Sequence, residues 1–183
     1  PLTGELAQCV YLSLVSDTGS FTHGNTSAAV FTLAARLVAN GLDAAAIREK
    51  LDNQWSMPKT KLWGKLMQTL SLECDGTVAV CPVTMEEIGS FGAVREDLEG
   101  FAEQMRRIKG VRVAALIRQD PGNRCKLSLR SSGSDDVRSV AAFFGGGGHL
   151  NAAGATIDDA DMDAVTRQTI QAIQDITFGA GEK

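Results

Sequence analysis

Apolar residues recur on a helical period through the first third of the chain. Leu6, Cys9, Val10 and Leu14 form one stripe within Glu5 to Val15, and the stripe stops at Asp17-Thr18-Gly19, which places Asp17 at a helix end. Ser27 to Asn40 predicts a second helix, capped by Thr26 or Ser27 and closed by a left-handed Gly41. Asp43 caps a short third helix through Leu51. Pro58, tolerated in a first helical turn, begins a fourth that carries Leu62, Trp63, Leu66 and Leu70.

Beyond Glu73 the period changes. Thr77 to Val83 is rich in β-forming residues, Glu96 to Arg107 reads as a helix with an acidic start, and Val111 to Arg118 as an apolar strand. The turn Asp120-Pro121-Gly122-Asn123 joins that strand to Cys125–Arg130, which predicts a hairpin. Alternation in its second strand sets Cys125, Leu127 and Leu129 on one face and Lys126, Ser128 and Arg130 on the other. Ser134 or Asp135 caps a helix with the stripe Val137, Val140, Ala141 and Phe144. A last strand at Ala155 to Ile157 and a closing helix from Met162 to Ile176 complete a mixed α/β pattern.

The predicted helix at Val137 runs straight into Gly145, Gly146, Gly147 and Gly148, followed by His149, Leu150, Asn151, Ala152, Ala153 and Gly154. Glycines let backbone N–H groups approach an anion without an intervening Cβ, and the imidazole directly after them donates to the same oxygens. A flexible loop with an incidental histidine is the plainer alternative. The small residues that follow serve close packing, which a linker does not need. Arg130 ends its strand near this helix, and a guanidinium fork matches phosphate oxygens. Arg118 and Lys126 read as solvated charges of a strand face. Asp158, Asp159, Asp161 and Asp163 lack the glycine and closing glutamate of a calcium loop and read as a helix start.

The segment Gly145 to Gly154 resembles the signature of the DHH-associated domain, the substrate-binding module of DHH-type phosphoesterases. Val15-Ser16-Asp17-Thr18-Gly19-Ser20-Phe21, with Asn25-Thr26, is similar to the last metal-binding motif of the DHH catalytic domain. The resemblance covers about Leu2 to Asp158, and the order and separation of the motifs are similar to those of the nano-RNase branch. It implies an α/β fold in which residues 1–72 are the helical tail end of a DHH catalytic domain and residues 73–183 a mixed-sheet DHH-associated domain.

The resemblance also implies a phosphoesterase that depends on manganese or magnesium and hydrolyses short oligoribonucleotides or 3′-phosphoadenosine 5′-phosphate. Asp17 would be a metal ligand. Arg130, in the context Leu129-Arg130-Ser131, would bind substrate phosphate together with Gly145, Gly146, Gly147, Gly148 and His149. Where the family carries a basic-aromatic pair this chain has Thr22 and His23, so that His23 either faces substrate or solvates a loop. Similar signatures occur in single-stranded-DNA exonucleases, in cyclic-dinucleotide phosphodiesterases and, serving RNA binding alone, in the C-terminal domain of alanyl-tRNA synthetases. The partner implied is a short single-stranded oligonucleotide or a mononucleotide, with a homodimer left open.

Residue counts sharpen this picture. With two histidines, His23 and His149, and no Asp-His-His triplet, the chain carries no complete catalytic set; it reads as a C-terminal fragment, inactive by itself. A net charge of −4 argues against extended binding to long nucleic acid. Cys9, Cys74, Cys81 and Cys125 lack metal or disulfide spacing and read as buried apolar residues. Neither an 18-residue apolar run nor a signal peptide is visible, so the expectation is a cytoplasmic protein without a membrane partner.

Overall fold

A computed structural model describes residues 2–179; the other positions assigned to the two expected domains lie outside the described residues. The chain divides between Trp55 and Ser56 into two compact units.

The first unit holds α1 (Gly4–Asp17), α2 (Ala28–Ala39) and α3 (Ala44–Asp52). Two of its starts are set by side chains that satisfy otherwise unpaired helix N–H groups: Ser27 accepts from Val30, and Asp43 accepts from Ala46 at 2.9 Å. The core is small, with Ala7, Leu37 and Leu42 buried among Val10, Leu14, Leu33 and Ile47. No single helix among the described residues is long and apolar enough to cross a membrane.

The second unit begins with α4 (Met57–Thr69), capped by Ser56 with Pro58 in the first turn. A sheet follows, made of β1 (Ser71–Glu73), β2 (Val78–Val83), β3 (Val113–Asp120), β4 (Arg124–Ser131), β5 (Gly147–His149) and β6 (Ala152–Ile157). The strand order is β1-β2-β3-β4-β6-β5. Only β2 and β3 run parallel; the long crossover between them carries α5 (Met85–Ser90) and α6 (Phe101–Arg106). This mixed sheet with helices on both faces is the α/β class expected from the sequence.

Each sheet face has its own core. Val78, Val80, Val113, Ala115, Ile117, Leu127 and Leu129 pack against α7 (Val137–Phe143), α8 (Met162–Ala172) and the π-helical segment Ile173–Phe178. On the opposite face Ala79, Cys81, Val83, Ala114 and Leu116 meet Leu62, Trp63 and Leu66 of α4 together with Phe101 and Met105 of α6. Trp63 donates its indole N–H to the Asp97 carbonyl at 2.7 Å and meets Phe101 edge-on at 5.3 Å. The change of period near residue 72 therefore marks where strands begin, whereas packing divides the chain before α4.

Several expectations need correction. Glu96 to Arg107 is not one helix: Gly100, at φ +84°, separates a 3₁₀ turn at Arg95–Leu98 from α6. The cap of α7 is Asp136, which accepts from the N–H groups of Arg138 and Ser139, while Asp135 is buried and paired with Arg112. Cys9 is exposed and Cys74 half-buried, so only Cys81 and Cys125 are buried. Burial pushes the Cys81 thiol up to about 12, which makes it an inert apolar residue.

Candidate substrate-phosphate surface

Helices of the second core cover the sheet over β2 and β3, and α6 also packs against β4, whereas β6 and β5 contribute nothing to that core. Strand alternation and register decide what stands on the strip beside α6. On β4 these are Arg124, Lys126, Ser128 and Arg130; on β6 they are Ala152, Gly154 and Thr156. Ala152 pairs with Arg130 on one side and with His149 on the other, so the three lie in one row across three strands. At ~4.8 Å per strand step, Arg130 and His149 flank Ala152 about 10 Å apart at their backbones. Only the methyl group of Ala152 stands between them in that row.

Arg130 is half-buried, donates to the Leu129 carbonyl at 2.9 Å and forms no ion pair among the described residues. His149 is exposed at the end of β5. Arg118 differs from its expected role: both its Nε and Nη2 donate to the Asp120 carboxylate, at 2.7 and 2.8 Å. That guanidinium holds the Asp120 carboxyl below its usual range.

The four glycines play separate parts. Gly145, at φ +73°, and Gly146 end α7 by donating to the carbonyls of Ala142 and Ala141 at 3.0 and 2.9 Å. Their N–H groups are thereby engaged in closing the helix. Gly147 and Gly148 instead open the edge strand β5, whose outward N–H groups no further strand covers. The expected open glycine cradle is thus a helix stop followed by a sheet edge. A Cβ at Gly146 would come within 2.2 Å of the Gly154 carbonyl oxygen, and one at Gly148 within 2.5 Å of that of Ala152; at Gly147 it would meet nothing within 4 Å. Gly146→Ala should therefore cost about 1–3 kcal/mol through overpacking, and Gly147→Ala no more than about 0.5 kcal/mol. Urea unfolding midpoints at unchanged slope measure both; equal midpoints for the two variants would contradict the packing role of Gly146.

Asn151 is a positioning residue that motif reading passed over. Its side-chain amide donates to Ser131 Oγ at 2.9 Å and to the Gly133 carbonyl at 3.1 Å, while its own carbonyl accepts from the Ser131 N–H. Val137 N–H donates to the Leu150 carbonyl, and Ser131 Oγ to that of Asp135 at 2.6 Å. The two-residue turn between His149 and Ala152 is thus tied to the segment directly after Arg130. Its signal in the sequence was an amide side chain inside a run of small residues.

In the first unit Asp17 is the last residue of α1, and Asn25 donates to its backbone carbonyl at 3.1 Å and to its Oδ2 at 3.0 Å. Gly19, Ser20 and Phe21 all take positive φ, in a turn held by the Thr18 carbonyl, which accepts from Thr22 and His23. The His23 ring packs on Gly19, where a Cβ would lie 2.1 Å from its Nε2. The described residues contain no group of three His, Cys, Asp or Glu side chains able to hold a metal ion. Asp17 by itself offers a single carboxylate.

Several known proteins resemble this chain along most of its length. The bifunctional oligoribonuclease and PAP phosphatase NrnA of Thermus thermophilus is 29% identical over 180 residues, 98% of this chain and 53% of its own. NrnA of Bacillus subtilis is 24% identical over 92% of this chain and 54% of its own. The crystal structure of an exopolyphosphatase-related protein from Bacteroides fragilis superposes with a TM-score of 0.89 at 31% identity, covering 97% of this chain and 52% of that one. The chain thus spans about half the length of the relatives it matches. Residues 75–175, more than half of the chain and the whole of the strip that carries Arg130 and His149, match the model of the DHHA1 domain, and the chain belongs to that family.

Proposed function

We propose that the protein is part of a phosphoesterase acting on short oligoribonucleotides and 3′-phosphoadenosine 5′-phosphate, in which this chain holds the substrate's phosphate and nucleotide. The observation that carries the reading is the row Arg130, Ala152, His149 on one sheet face, with no carboxylate paired to Arg130 among the described residues. A guanidinium and an imidazole on either side of an alanine fit one phosphate. Ordering that phosphate is how such a surface lowers the barrier to hydrolysis, since a correctly held substrate reacts as one part of a single molecule. The NrnA relatives support the substrate class by their named activities.

Manganese or magnesium, which the motif around Asp17 implies, would take one carboxylate from this chain, that of Asp17. The Asn25 side-chain amide donates to that carboxylate and fixes its orientation.

The test is competition for one site. A labelled 5′-phosphorylated diribonucleotide should be displaced by unlabelled diribonucleotide and by 3′-phosphoadenosine 5′-phosphate at concentrations within tenfold of each other. A long RNA duplex should not displace it, because an acidic protein with few free cations makes few phosphate contacts. Displacement by cyclic di-AMP alone would overturn the assignment; a relative 27% identical, from Listeria monocytogenes, is a cyclic-di-AMP phosphodiesterase.

A further inference from the structure

The polar strip on β4 does not end at Arg130. Two residues of alternation back along β4 stands Lys126, level with Arg118 on β3 and Thr156 on β6. Here the 3₁₀ turn at Arg95–Leu98 and the sheet enclose a cleft of about 450 Å³. Leu98 and Leu116, only 4% and 5% exposed, belong to its lining. Glu96 and Glu99 line it from the turn, whereas Lys126, Ser128 and Thr156 line it from the strands.

The cations of this cleft are not equivalent. Arg118 is engaged by Asp120, and Arg124 lies 3.5 Å from Asp158. Lys126 is exposed and forms no ion pair among the described residues. Four residues of strand separate it from Arg130, about 13 Å at ~3.3 Å per residue.

We propose that this cleft is a second subsite, taking a distal phosphate of a short single-stranded oligoribonucleotide whose first phosphate lies at Arg130 and His149. The proposal rests on the reading of that first position. Carboxylates on the turn repel the polyanion and keep its backbone against the strands, where Lys126 neutralises one phosphate. A mononucleotide or dinucleotide at Arg130 does not span the distance to Lys126, whereas a strand of a few nucleotides does; Lys126 therefore sets the preference for length rather than recognition as such. Grooves that track a nucleic-acid backbone with cations bind in this sequence-tolerant way.

The experiment measures the affinity of the intact protein for 5′-phosphorylated RNAs of two and five nucleotides by fluorescence anisotropy, at several salt concentrations. Lys126→Ala should weaken the five-nucleotide RNA about tenfold and leave the two-nucleotide RNA within twofold. The salt dependence for the longer RNA should lose about one phosphate contact. Lys126→Arg should retain the longer RNA, and Lys126→Glu should weaken it beyond the alanine variant. Equal weakening of both lengths, or of neither, overturns the second subsite. Arg130→Ala separates the two readings: it should weaken both lengths, and if it weakens neither, the first position is wrong, whatever Lys126 does.

Discussion

The 183-residue chain, supplied with manganese and a short 5′-phosphorylated RNA, is expected to bind the RNA and release no mononucleotide. Two-metal hydrolysis requires two ions about 3.5–4 Å apart, each with several ligands, so that one activates water and both stabilise the charge that develops on phosphorus. Asp17 is the single carboxylate in a matching motif, and the described residues hold no cluster of three ligands. The expected deficit against an NrnA-type enzyme is many orders of magnitude, with each tenfold equal to about 1.4 kcal/mol of barrier. Mononucleotide release, followed by chromatography alongside an anisotropy measurement of binding, checks both halves. Release near the rate of such an enzyme would refute the view of this chain as the substrate-holding part.

Arg130→Ala and His149→Ala should each weaken binding of a short 5′-phosphorylated RNA about ten- to a hundredfold. A charge-assisted contact to phosphate is worth about 1.5–3 kcal/mol, and Arg130 has no carboxylate among the described residues to compete for it. Because both side chains rise from one row on either side of Ala152, the double variant should lose less than the sum of the singles. Gly147→Val adds an independent probe. A Cβ there meets nothing within 4 Å, so a loss of binding with circular dichroism unchanged reports obstruction of the β5 edge. Anisotropy titrations with circular dichroism decide the matter: single variants within twofold of the parent, with the fold intact, would place the phosphate elsewhere.

The NrnA relatives and the solved structure from Bacteroides fragilis agree with the family resemblance carried by the glycine-histidine run. What they share with this chain is a scaffold, and the site has to be argued from the side chains that the scaffold brings level.

Local rules made much of the chain legible in its sequence. The four N-terminal helices follow from apolar spacing and from caps such as Ser27, Asp43 and Ser56, whose side chains answer helix N–H groups within three residues. Alternation in β4 was equally plain: Leu127 and Leu129 face a core, and Lys126 and Arg130 do not. Helix α5 escaped notice although Thr84 and Glu87 form a reciprocal capping box, because six residues show too little periodicity to register.

Long-range register, by contrast, belongs to the tertiary structure alone. Nothing local states that β6 inserts between β4 and β5, and it is that insertion which sets Arg130 and His149 on either side of Ala152. A shift of one residue would turn His149 to the opposite face, since side chains alternate with period two. The glycine run shows the same division: its composition announced close backbone contact, but only the packed hairpin tells Gly146, held 2.2 Å from the space of another carbonyl, from the unhindered Gly147. Sequence context singled out Arg130 and left Arg118 as a solvated strand-face charge, and only the packed structure shows that the Asp120 carboxylate engages Arg118. Sequence thus determined which segments form and which face of each is apolar, because those depend on neighbours a few residues away; tertiary pairing decided which charges meet, because that depends on strands brought together from distant parts of the chain.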